Sequence, residues 1–379
     1  MRSRFTLLAA AVLLVAATAA GQVTQPPSGG NQRASITQYL GLVKVTVDYN
    51  SPKVHSPFNG EDRRGKIWGA LVPYGMAKGL GYGTCTECPW RVGANENTVF
   101  TVSNDVKIEG QPLPAGAYGL HMIPGPDEWT VIFSKNSTSW GSFFYDPKDD
   151  ALRVKVKPAK SEYHEWLAFE FPERQLDKAT VAMKWEDLQL PIHISVDNIS
   201  QLYVDQLRKE LHGSKGFDWQ NWNAAARYAL ENKIAPADAL QWAQTAATPP
   251  FPGQENFNTL MTLADAQAAN GMEADAKKTR DRALASPTAS AIDMHVYARS
   301  LLAQGKKDEA LAIWELNAKR HPNEWPVNVG LARGNSAVGR YKDALKYAKL
   351  ALAQAPDEPN RKMLQGGIAK LEQGKDMNQ

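Results

Sequence analysis

Cysteine is scarce in this 379-residue chain: there are two, Cys85 and Cys88, in a single Cys-Thr-Glu-Cys. No second Cys-x-x-Cys is present to complete a four-cysteine zinc site. The chain also lacks a phosphate-cradling P-loop, a dinucleotide-binding glycine fingerprint and an acidic calcium loop. No Gly-x-Ser-x-Gly elbow surrounds any of its serines. Excess charge of one sign is missing as well, with 43 Lys and Arg against 40 Asp and Glu. Residues 1–20 hold two of the arginines and no acid, so without them the balance is 41 to 40. Nothing in that balance suggests a basic face for nucleic-acid phosphates, so no nucleic-acid partner is expected.

The long apolar run is at the start. Arg2 and Arg4 precede residues 7–17, and Ala17-Thr18-Ala19 follows with the small-x-small pattern of a cleavage site. Residues 1–20 read as a signal peptide, too short and wrongly flanked for a stable membrane span; an uncleaved anchor is the alternative. No cysteine follows the cleavage region, which argues against a lipoprotein. The expectation is therefore export to the periplasm or the extracellular space, with no membrane span after cleavage. In such a compartment a cysteine pair is more often oxidised than free. Residues 21–38, rich in Gly, Pro, Ser and Gln, read as a flexible lead.

Residues 39–197 show short alternating runs between turn residues. Val43-Lys44-Val45-Thr46-Val47-Asp48-Tyr49 alternates apolar and polar as a half-buried strand does. Further strands are expected at 98–102, 105–108, 117–123, 129–133, 152–156, 165–171, 179–185 and 190–196. Pro124-Gly125-Pro126-Asp127 marks a turn. Regular short strands of this kind predict an all-β sandwich or jelly roll.

Residues 198–379 change character, to Ala, Leu, Gln and Lys with helical periodicity. Gly271, Gly305 and Gly339 are 34 residues apart, as are Ala276, Ala310 and Ala344, and Ala264, Ala298 and Ala332. Pro322 and Pro356 keep the same step. A 34-residue period with turn glycines, small residues at helix crossings and a closing proline is the tetratricopeptide pattern. A looser unit spans 219–248, and a last helix at 358–372 would cap the stack. The fold class is thus α+β multidomain: a sandwich or jelly-roll-like β domain followed by a helical repeat array. Such arrays dock a protein or peptide partner or act as spacers.

Candidate chemistry concentrates between Gly65 and Thr98, a stretch with both cysteines and seven glycines. Cys85 and Cys88 allow three readings: a disulfide closing a short ring, half of a zinc site completed by histidines such as His55, His121, His164 or His193, or a redox pair. Redox motifs of this type stand at a helix N-terminus, whereas Pro89-Trp90 follows here in a glycine-rich β context. In the loop 90–97, Arg91 offers a planar fork for a carboxylate or phosphate. Asn95 and Glu96 add polar groups, and Trp68, Tyr74 or Trp90 could flank a sugar or cation. The plain alternative pairs Arg91 with Glu96 and puts Trp90 in the core. His121 falls in an expected strand, where a lone histidine is usually a satisfied half-buried residue. Ser134-Lys135 and Ser139-Trp140-Gly141-Ser142 could suggest a serine nucleophile, but with no elbow and no histidine near in sequence they read as turn residues, and Glu186-Asp187 as a solvated turn pair.

Several ordered motifs carry a resemblance. They are Gly65-Lys66-Ile67-Trp68-Gly69, Leu71-Val72-Pro73-Tyr74-Gly75 and Trp90-Arg91-x-Gly93-Ala94-Asn95-Glu96. Leu113-Pro114-Ala115-Gly116-x-Tyr118-Gly119-Leu120 and Glu128-Trp129-Thr130-Val131-Ile132-Phe133 follow them. Together, over residues 43–196, these look like the bacterial exported family called domain of unknown function 2911. Residues 76–89, which hold both cysteines, depart from the short join that many members have between the Pro-Tyr-Gly and Trp-Arg elements. The resemblance implies no established reaction. Residues 219–373 resemble the tetratricopeptide superfamily.

The leading expectation is a non-catalytic binding module, with a small polar ligand or glycan on the β domain near Trp68, Tyr74, Trp90, Arg91, Asn95, Glu96 and His121. A protein or peptide would bind on the repeats. No cofactor or metal is called for. One alternative is a hydrolase or metal-dependent enzyme with Glu96 as base and His121 or the cysteines as ligands; another is a purely structural envelope protein.

Overall fold

The computed structural model describes residues 30–79 and 81–379. Two compact units divide at Ile199 and Ser200. The segment read as a signal peptide, and residues 21–29 of the lead, lie outside the described residues.

Among the described residues the strands of the first unit pair antiparallel throughout. One sheet has six strands in the order β1 (Gln32–Leu40), β2 (Val43–Ser51), β5 (Thr98–Val102), β8 (Gly116–Ile123), β9 (Trp129–Ser134) and β10 (Asp150–Val156). A second has four, in the order β11 (Ala159–Arg174), β12 (Lys178–Ser195), β6 (Val106–Ile108) and β7 (Gln111–Leu113). A two-stranded ladder joins β3 (Ala77–Lys78) to β4 (Glu87–Cys88). The first sheet keeps its strands in chain order, with the β3–β4 ladder and the β6–β7 hairpin placed outside it; this order gives the jelly-roll alternative no support. Alternation works as expected on β2, where Val43, Val45, Val47 and Tyr49 are buried and Lys44 is exposed. The Tyr49 ring meets Phe169 of β11 at 5.0 Å, and the Ser51 hydroxyl donates to Leu167 O at 2.6 Å, so the two sheets share one interior.

Two expectations are corrected. The lead expected through residue 38 is a strand from Gln32, paired without a break from Gln32–Ser51 to Leu40–Val43. It is an edge strand in which only Leu40 is fully buried, so its composition carries no core signal. The strands expected at 179–185 and 190–196 are one strand, β12. Glu186 sits between them at a positive φ of 58° in a break of register opposite His164. It is 5% exposed rather than solvated, and its carboxylate accepts the Gly65 N–H. A charged residue there reads as a turn, but a bulge keeps the chain in the sheet.

The second unit is helical. Among the described residues its helices are α1 (Ile199–Leu211), α2 (Trp219–Glu231), α3 (Pro236–Ala247), α4 (Phe257–Ala269), α5 (Glu273–Ala285), α6 (Ala291–Ala303), α7 (Lys307–Arg320), α8 (Trp325–Ala337), α9 (Tyr341–Ala353) and α10 (Glu358–Glu372). The 34-residue step reappears in space. Gly271, Gly305 and Gly339 have φ of 76°, 80° and 81°, so each ends its helix in the left-handed conformation that glycine adopts without a Cβ penalty. The alanines at 264, 298 and 332, and at 276, 310 and 344, are all fully buried at the crossings. Among the described residues no helix is long and apolar enough to cross a membrane.

Candidate functional site

Trp68 and Trp90 do not form an open stacking platform. With Trp129 of β9 and Trp185 of β12 they make a cluster whose ring centroids lie between 5.0 Å (Trp68–Trp129) and 6.2 Å (Trp90–Trp185) apart. Most of these pairs are edge-to-face, the arrangement the ring quadrupoles favour. Trp68 and Trp90 are both half-buried against this cluster, with Trp90 also lining a pocket.

From Trp90 the chain is held at both ends. Trp90 exchanges backbone hydrogen bonds with Met122 of β8, at 2.7 and 2.8 Å. Thr98 N–H donates to Arg91 O and its hydroxyl to Val92 O. Between these anchors Val92 and Asn95 take φ of 57° and 58°, so the loop doubles back. That reversal separates the polar side chains. Arg91 stays with a concave pocket of about 480 Å³ lined by Met76, Lys78, Cys88, Trp90, Ser142 and Phe143, among others. Glu96 accepts from Asn50 Nδ2 at 3.0 Å and lines a different, smaller depression with Asp48 and Ser139. The Arg91–Glu96 pair is not made, and Glu96 and His121 do not share a cleft. Tyr74 is 48% exposed beside Gly69.

The Arg91 guanidinium donates to Asn95 O at 3.3 Å and lies 6.0 Å from the Phe143 ring centroid. Burial lowers its pKa. Among the described residues no carboxylate pairs with it, and the described lining of the pocket holds two cations, Arg91 and Lys78, and no acid. Gly141 is what lets the guanidinium in. Its φ is +63°, and a Cβ there would stand 2.6 Å from an Arg91 terminal nitrogen.

The next residue, Ser142, reads from the sequence as a turn residue because no histidine is near it along the chain. It is buried, lines the same pocket, and its Oγ is 2.9 Å from Nδ1 of His121. His121, on β8, is 2% exposed. Burial pushes its pKa down to about 4, so the ring is neutral at neutral pH. Tyr145 packs edge-on against it, ring centroids 5.2 Å apart. The Tyr145 hydroxyl donates to Asp150 at 3.0 Å and accepts from Arg153 at 2.7 Å, and burial together with Asp150 raises its pKa to about 12. The sulfurs of Cys85 and Cys88 are at disulfide distance, 2.20 Å, packed beside Tyr145, Ile132 and Met76. Among the described residues no group of three His, Cys, Asp or Glu side chains is placed to hold a metal, so the metal-dependent alternative has no ligand set there.

Residues 31–194 match the model of a family described as "Protein of unknown function (DUF2911)", so the resemblance carried by the motifs holds for the β unit. No curated protein matches the chain. Among solved structures, one titled "Crystal structure of MamA" is 16% identical, covering 41% of this chain and 88% of that chain, with a TM-score of 0.29. A second, "Crystal structure of MamA protein", is 16% identical over 41% of this chain and 82% of that one, with a TM-score of 0.28.

Proposed function

We propose that this is an exported binding protein whose β unit takes a small anionic ligand on Arg91 and whose helical unit docks a polypeptide. The observation that carries the first half is the lining of the Arg91 pocket, with two cations and no acid among its described residues. A guanidinium already partly stripped of water and without a carboxylate partner gains most from an anion that supplies one. A glycan is not favoured, because both tryptophans that would stack on a sugar are engaged with other tryptophans.

A thermal-shift titration with small mono- and dicarboxylates and with inorganic phosphate tests this. At about 100 times its dissociation constant an anion that binds only the folded chain adds about 2.7 kcal/mol. The midpoint is expected to rise for wild type and to stay still for Arg91→Gln. An equal rise in both would remove Arg91 from the site.

For the helical unit, support comes from a depression of about 400 Å³ lined by Met261, Asp265, Tyr297 and others of α2, α4 and α6, with Ile292 and Val296 of α6 more than half exposed. A photo-crosslinker at position 296 is expected to capture a polypeptide that one at Lys277, exposed on α5, does not. Export is supported by Arg2, Arg4, the apolar run and Ala17-Thr18-Ala19. Sequencing the N-terminus of protein from the periplasm or medium is expected to begin near residue 20 or 21, and a chain retained inside the cell would refute it.

A further inference from the structure

We propose that Ser142 is an acyl-accepting nucleophile and His121 its general base, acting on small esters whose acid part carries a second, free carboxylate held by Arg91. The inference rests on the anion-binding reading of the same pocket and adds a reaction to it.

The hydroxyl and imidazole are already within hydrogen-bond reach, Oγ to Nδ1 at 2.9 Å, the relation an activated serine requires. They come from opposite ends of a 21-residue excursion, His121 from β8 and Ser142 from the loop after β9. Ser142 lines the pocket while the imidazole stands behind it, buried and packed against the Tyr145 ring. The guanidinium is pressed against Gly141, the residue immediately before the serine. A bound carboxylate would therefore lie close to the nucleophile, which turns an anion site into a positioning device. The imidazole is neutral at neutral pH, so Nδ1 can accept the hydrogen bond of the Ser142 hydroxyl.

In the tautomer protonated at Nε2, Nδ1 accepts the Ser142 proton as Oγ adds to the ester carbonyl. Collapse breaks the bond to the alkoxy leaving group, which takes the proton back from the imidazolium and departs as an alcohol. Water then adds to the acyl-serine, passing a proton to Nδ1; the Oγ–acyl bond breaks, and Ser142 recovers its proton. The free acid is released, with no oxidant, reductant or metal in the balance.

The test uses the full chain with three probes: a fluorophosphonate, mono-(4-nitrophenyl) succinate and neutral 4-nitrophenyl acetate. Intact mass and peptide mapping are expected to show one fluorophosphonate adduct, on Ser142. His121→Gln is expected to slow its formation by about 100-fold, with the folded fraction checked by circular dichroism. The succinate ester is expected to be hydrolysed at least tenfold better than the acetate by wild type, and Arg91→Gln to erase that preference. No adduct on wild-type Ser142, or labelling that His121→Gln leaves unchanged, overturns the inference. The wild-type map decides this even where Ser142→Ala fails to fold. Succinate that stabilises the chain without any acylation defeats the reaction and leaves the binding reading standing. Acylation with no preference for the anionic ester and no stabilisation by succinate removes the anion from both.

Discussion

In the helical unit a buried position announces the next one: alanine is fully buried at 276 and again at 310 and 344, each time where two helices cross. In the β unit a buried position announces only the next one along its own strand, as on β2, and never its partners across the interior. The tryptophan cluster draws Trp68 and Trp90 from loops, Trp129 from β9 and Trp185 from β12, and the serine–imidazole pair joins residues 21 apart. A repeat array packs each element on its neighbours, so its interior is a local pattern used several times. A two-sheet fold makes its interior from distant strands, and its site is correspondingly a single event.

The comparison is broken most forcefully by deleting the largest non-local side chain. Trp129→Ala, at a fully buried position with two tryptophan neighbours, is expected to cost about 3–5 kcal/mol. Loss should appear in near-ultraviolet tryptophan signals and amide exchange of the β strands, with the helical amides protected as before. A cost shared equally by both units would show that they do not unfold separately.

Acid tests the same distinction more gently, because each unit holds one buried histidine with its pKa lowered by burial to about 4, His121 and His295. A lowered histidine pKa means that the unfolded chain binds the proton first. Stability from these groups is complete above about pH 6.5, is lost as pH falls toward 4, and changes no further below that. The shift amounts to on the order of 3 kcal/mol per histidine. Denaturant midpoints between pH 7 and 4.5 are expected to fall for both units. His295→Gln should flatten the profile of the helical unit alone, and a profile unchanged by that substitution would clear His295.

The smallest effect sharpens what the repeats share. Trp314 of α7 is fully buried against Gly330 and Gly334 of α8, where an added Cβ would stand 2.2 and 2.6 Å from the indole. One repeat earlier, 34 residues before Gly330, stands the exposed Val296. Gly330→Ala is expected to cost about 1–3 kcal/mol by overpacking, whereas Val296→Ala should cost under about 0.5 kcal/mol. Equal costs would mean that the two repeats pack alike.

Legibility follows the same divide. The helix pairs were readable because the glycine, the crossing alanine and the proline each recur at a spacing set by local geometry. Most β strands were readable from alternation. Strand β1 was not, because an edge strand with one fully buried residue has no apolar stripe. The continuity of β12 was hidden by Glu186, whose charge suggests solvent although Gly65 N–H satisfies it inside. Within the site, Arg91 was found because an arginine among glycines and tryptophans on a loop is unusual chemistry. Ser142 reads as a turn residue, since a serine after Trp140-Gly141 has the composition of any turn and the histidine beside it is supplied by another strand.

Sequence by itself determined the period of the helical unit, the alternation that makes the β unit, the resemblance of its ordered motifs and the loop that carries Arg91. These are properties of neighbours along the chain, and backbone geometry turns them into structure without reference to anything distant. Tertiary structure alone decided that Glu96 parts from Arg91, that two loop tryptophans turn inward, and that His121 meets Ser142. Each depends on positive φ at a few residues and on which side chains the closing sheets remove from water, and neither is written in the spacing of residue types.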